Sequence, residues 1–108
     1  MNGRLIGSAL ALLLVGLGTW MVALAQETPR ERGKQLFTEQ GCYGCHMIDK
    51  YGTPIAPDLS HIGSKYSVAD LVRWLRDPTS QKPTAHMPKI AMTESEAQAL
   101  AAYLGSLH

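Results

Sequence analysis

The chain is poor in the residues that cross-link small domains. Its only cysteines among 108 residues are Cys42 and Cys45. A disulfide across so short a loop removes almost no entropy from the unfolded chain, so it is excluded as a structural staple. Excess charge of either sign is also missing. The formal net charge is +1, and without Arg4 the basic and acidic residues balance. No Lys/Arg-rich run or stripe is present, which excludes nucleic acid as a partner class and gives no basis for long-range electrostatic steering. No stretch alternates apolar and polar residues as a half-buried strand does, so a β architecture is excluded and an all-α one is expected.

What is present divides unevenly along the chain. Residues 5–25 carry no charge and follow Arg4. The segment ends on Ala23-Leu24-Ala25, the small-x-small pattern that precedes signal-peptidase cleavage. At 21 residues it is also long enough to span a bilayer, which takes roughly 20. Residues 1–25 are therefore expected to be a signal peptide or an N-terminal membrane anchor. With Arg4 holding the N-terminus inside, either fate puts the rest of the chain in the periplasm or on the outer face of the cytoplasmic membrane. Residues 26–108 are expected to form one domain. A domain of that size has a thin core and usually needs a disulfide, a metal or a bulky cofactor.

Three helices are predicted in this domain. The first starts near Pro29, since proline suits the first helical position, and runs through Gly33, Leu36 and Phe37 to Gln40-Gly41. The second starts at Ser67, where Ser67-Val68-Ala69-Asp70 reads as a capping box. Val68, Leu71, Val72 and Leu75 follow at helical spacing, and Pro78 ends it. The third starts at Thr93, with Glu96 completing the same capping pattern, and Ala97, Leu100, Ala101 and Leu104 make its apolar stripe. Residues 41–66 and 77–92 remain irregular. Loops of that length in a small domain point to a function, and wrapping around a large flat cofactor accounts for both.

Cys42-Tyr43-Gly44-Cys45-His46 carries the chemistry. Two thiols at this spacing can add across the two vinyl groups of one haem, and the adjacent histidine can ligate its iron; C-x-x-C-H reads as haem attachment. A dithiol redox site would sit beside a βαβ pattern, which is missing. Zinc on Cys42, Cys45 and His46 with His61 or His86 would lack the second well-spaced ligand pair typical of such sites. Two cysteines packed as small apolar residues would leave the export segment and the long loops unexplained.

Around this motif, residues 32–107 resemble a class I cytochrome c. The resemblance is strongest to the cytochrome domains of bacterial terminal-oxidase subunits. It rests on Gly33 and Phe37, the haem motif, Ala56-Pro57-Asp58-Leu59-Ser60-His61-Ile62-Gly63, Trp74-Leu75-Arg76-Asp77-Pro78, Lys82-Pro83, Met87-Pro88 and Ala101-Ala102-Tyr103-Leu104. Ala56 departs from the glycine usual before the proline. The resemblance implies a small cytochrome c fold, all-α, with about three main helices and long loops wrapped around one covalent haem c. It implies a crossing of the terminal helices, with Gly33 and Phe37 against Leu100 and Tyr103. It also implies six-coordinate iron, with Pro57 accepting a hydrogen bond from the axial His46.

The second axial ligand must approach from the other side of the ring. Met47 adjoins His46 and cannot reach it, leaving Met87, Met92, His61 and His86. The family motif favours Met87, which Pro88 holds in extended backbone. Tyr66 and Trp74 are candidate donors to a haem propionate, with core packing the alternative for Trp74. Closed His/Met coordination leaves no position for substrate, so the expected function is one-electron transfer rather than catalysis. Such a monomeric domain would serve redox protein partners in a respiratory or other membrane-linked chain, and the family leaves one thioether edge near Tyr43 exposed. The alternative is a membrane-anchored subunit of an oxidoreductase complex. A haem-based gas or redox sensor is a weaker reading, because no output domain is evident.

Overall fold

The computed structural model describes residues 26–108; the expected signal peptide or membrane anchor at residues 1–25 lies outside the described residues. The element order is helix α1 (Pro29–Glu39), a 3-10 turn (Cys42–Gly44), strands β1 (Met47–Ile48) and β2 (Tyr51–Gly52), and a second 3-10 turn (Ile62–Ser64). Helix α2 (Val68–Arg76), the single-turn helix α3 (Pro78–Gln81) and helix α4 (Glu94–Gly105) follow. Among the described residues no helix is long and apolar enough to cross a membrane.

Local chemistry sets the helix ends. Thr28 caps α1: its hydroxyl accepts from the Glu31 N–H at 3.2 Å, and the Glu31 carboxylate accepts from the Thr28 N–H at 3.0 Å. Thr93 and Glu96 make the same reciprocal pair at α4, at 3.1 and 2.9 Å. The expected box at α2 is only half formed. Ser67 Oγ accepts from the Asp70 N–H at 3.1 Å, but the Asp70 carboxylate takes the Ser67 hydroxyl at 2.9 Å and not its backbone N–H. Aspartate is one methylene shorter than the glutamate that completes such a box. Pro78 does not merely end α2. Asp77 before it is extended (φ −162°, ψ 91°), and Pro78 opens α3, as the backbone before a proline and the first turn of a helix respectively favour.

The terminal helices α1 and α4 cross in the most extensive helix contact. Gly33 lies at the crossing. A Cβ there would collide with the carbonyl oxygen of Ala99 and come within 2.8 Å of Tyr103 Cβ. The expected partner Tyr103 is met, whereas Ala99, not Leu100, takes the closest approach. Phe37 is 1% exposed, and its ring stands edge-on to Tyr43 at 4.7 Å and to Tyr103 at 6.0 Å between centroids. Leu36, Leu71, Leu75, Leu100 and Leu104 complete a core shared by α1, α2 and α4.

The irregular first loop contains a small hairpin that periodicity did not predict. Met47 pairs with Gly52 and Ile48 with Tyr51. Its turn uses Asp49 at φ 54°, and Gly52 at the end of β2 has φ 110°; both lie in the left-handed region, where Gly and Asp are tolerated. A side chain at Gly52 would also strike the His46 carbonyl.

Candidate haem site

The Cys42–Gly44 turn closes by hydrogen bonds from the Cys45 and His46 amides to the Cys42 carbonyl, at 3.2 and 3.0 Å. One short turn thus presents both thiols and the imidazole. Both cysteines are free, Cys42 half-buried and Cys45 exposed. Burial pushes the Cys42 thiol up, with the neighbouring Cys45 adding to the shift against an opposing backbone hydrogen bond. Its proton is therefore retained where free thiolate would otherwise gain ground.

His46 Nδ1 lies 2.7 Å from the Pro57 carbonyl oxygen. A carbonyl only accepts, so Nδ1 carries the proton and Nε2 keeps its lone pair free to bind a metal. A buttressed loop holds Pro57 in place. The Ile55 and Ala56 amides donate to the Cys45 carbonyl at 3.2 and 2.8 Å, and the Leu59 amide donates to the Met47 carbonyl at 2.9 Å. The Asp49 amide donates to Ser60 Oγ at 2.7 Å. Ser60 in turn donates its amide and hydroxyl to the Asp58 carboxylate, at 2.8 and 2.6 Å. Those two bonds hold the Asp58 carboxyl below its ordinary value. The residue 55–60 loop is therefore tied to the backbone on both sides of His46, which holds the Pro57 carbonyl against the imidazole.

Met87 sits half-buried in the second irregular stretch, where its Sδ receives the Trp74 indole N–H at 3.2 Å. Sequence reasoning offered Trp74 a propionate or a packing role and missed this contact, which spans two elements and leaves no periodic trace. Met92 is also half-buried, and both methionines pack against the core alongside Cys42, Leu59, Ile62 and Val72. His61 and His86 are exposed. Tyr66 is 54% exposed.

These residues fit a haem. The thiols are unpaired, the imidazole offers a free Nε2 locked by its other nitrogen, and the half-buried apolar side chains come from both irregular stretches and α2. That combination of donors and apolar surface suits a flat, largely apolar ring with iron at its centre.

The fold and this donor set define a small protein that carries haem covalently, and comparison with known proteins agrees. The family model for cytochrome c matches residues 30–108, and the chain belongs to that family. It is 37% identical over 90 residues to cytochrome c oxidase subunit 2 of Alkalihalophilus pseudofirmus, an alignment covering 75% of this chain and 26% of the relative. It is 31% identical over 100 residues to cytochrome c oxidase subunit 2 of Bacillus subtilis, covering 77% and 28%. The chain thus spans about a quarter of the length of the curated relatives it matches. It is a haem c protein and an electron carrier.

Proposed function

We propose that the chain is a one-electron carrier working outside the cytoplasm in a respiratory or other membrane-linked chain. The lock between His46 Nδ1 and the Pro57 carbonyl is the observation that supports this most directly. It costs imidazole its freedom to rotate and commits Nε2 to a metal. Cys42 and Cys45 hold the haem. Each thiol would be joined to the haem by one thioether bond, formed by addition of its S–H across a vinyl group with no net oxidation. His46 and Met87 would ligate its iron. The bound haem supplies a reversible Fe(III)/Fe(II) couple, and a His/Met pair raises its potential relative to two histidines.

The residues around the thiols favour an exit on the Cys45 side. Cys45 and Gly44 are exposed, and Ile55, hydrogen-bonded to Cys45, is 74% exposed. Tyr43, by contrast, turns its ring onto Phe37. Residues 1–25 act as signal peptide or anchor. The similarity to oxidase subunits favours a terminal oxidase as the electron acceptor, reached either by diffusion or from a membrane-anchored position.

The ligand assignment is tested on the oxidised holoprotein, which should show the weak near-infrared sulfur-to-iron band. Met87→Ala should abolish the band and open the iron to added imidazole, while Met92→Ala should keep it. The reverse pattern would show that Met92 is the ligand, and no band in the unaltered protein would remove methionine from the site. A redox titration should follow a one-electron curve.

A further inference from the structure

We propose that Ser60 is a positioning residue for the iron ligand His46, acting through the Pro57 carbonyl that holds the imidazole; this rests on His46 binding iron through Nε2. The bonds at Ser60 can run in one direction only. The Asp49 amide is a donor and the Asp58 carboxylate an acceptor. The half-buried Ser60 hydroxyl therefore accepts from the first at 2.7 Å and donates to the second at 2.6 Å. The Ser60 amide donates to the same Asp58 oxygen at 2.8 Å. Both bonds to Asp58 are charge-assisted, the stronger kind.

Their position in the chain lets these bonds act on the imidazole. The Pro57 carbonyl and the Asp58 amide share one rigid peptide plane. Fixing Asp58 on Ser60, and Ser60 on Asp49, limits how that plane can tilt, and with it the 2.7 Å bond to His46 Nδ1. Asp49 lies in the turn of the hairpin that starts directly after His46. Its φ of 54° is strained for a residue with a side chain, and the bond to Ser60 helps hold it there. The relay thus leaves the chain just past His46, crosses Ser60 and Asp58, and returns to the carbonyl that faces the imidazole. A firm acceptor at Nδ1–H makes the opposite nitrogen a better donor to a metal. A better donor favours ferric iron and lowers the reduction potential.

Ser60→Ala removes the hydroxyl and leaves the backbone tie from Leu59 to Met47 in place. In the holoprotein it should shift the redox equilibrium against a fixed partner about two- to tenfold toward the reduced form. That is the span of one weakened neutral hydrogen bond, read as a rise in potential at roughly 59 mV per tenfold change. Solvent exchange of the His46 Nδ1 proton, followed by NMR in the reduced protein, should quicken by a similar factor. Ser60→Thr keeps the hydroxyl and should leave both values unaltered. A purely structural serine would lower the urea midpoint of Ser60→Ala with potential and exchange rate unchanged, and that result would overturn the proposal. Should Ser60→Ala carry no haem, Asp58→Ala takes its place. It leaves the serine and strands its hydroxyl, so the same two shifts are expected, and their absence would overturn the proposal. Failure of the underlying reading is separately visible, in an unaltered ferric protein whose His46 ring protons lack the large paramagnetic shift of an iron ligand.

Discussion

Gly33 shows how a single residue sets the distance between two helices. A helix-interior glycine costs about 1 kcal/mol relative to alanine, and here the lost side chain lets α1 lie directly on the Ala99 backbone of α4. Gly33→Ala should therefore destabilise the protein despite its better helix propensity. The expected loss is about 1–3 kcal/mol, the usual range for overpacking, read as a lower urea midpoint with an unchanged slope. A neutral or stabilising result would mean that the helices separate at little cost. The close approach was legible in the sequence because a lone glycine in an otherwise apolar helical stripe asks for a reason. Its partner was less so. Whether Ala99 or Leu100 faces Gly33 depends on the crossing angle, which no local pattern encodes. The haem motif needed no such geometry, since its two thiols and imidazole lie within five consecutive residues.

At the scale of elements, the helices were readable and the hairpin was not. Thr93-Glu94-Ser95-Glu96 announces its own start because capping is local chemistry. Strands of two residues are too short to show alternation, and the hairpin exists because its carbonyls and amides meet the residue 55–60 loop. The short helix α3 was hidden for a related reason: Pro78 reads equally as a stop and as a start. The Thr93–Glu96 cap also carries a pH dependence. Hydrogen bonds from the Thr93 backbone and hydroxyl, with a smaller contribution from the Arg32 charge, hold the Glu96 carboxyl below its ordinary value of 4.5. A lowered folded pKa stabilises the protein above the unfolded value, and the contribution is lost as pH falls from about 4.5 toward the folded value. Glu96→Gln keeps an acceptor for the cap without titrating. Denaturation followed against pH should show a shallower acid limb for this variant, and Thr93→Ala should cost about 0.5–2 kcal/mol at neutral pH. An acid limb unchanged in Glu96→Gln would show that this carboxylate is not linked to folding.

At the scale of the whole domain, the described residues build a core of leucines and alanines with Phe37, Ile48 and Tyr103, and Cys42 and Met87 pack against it within a half-buried apolar surface drawn from both irregular stretches and α2. That surface is what the sequence could announce only indirectly, through loops too long to be idle and a domain too small to hold itself together. The account makes covalent haem part of the fold, so its central claim is most directly tested by the intact mass of protein recovered from cells competent in haem attachment. The unaltered chain should exceed its polypeptide mass by one haem that resists acid–acetone extraction, and Cys42→Ala/Cys45→Ala should carry no covalent haem and melt at a lower temperature. An unaltered chain with the mass of bare polypeptide would contradict the account.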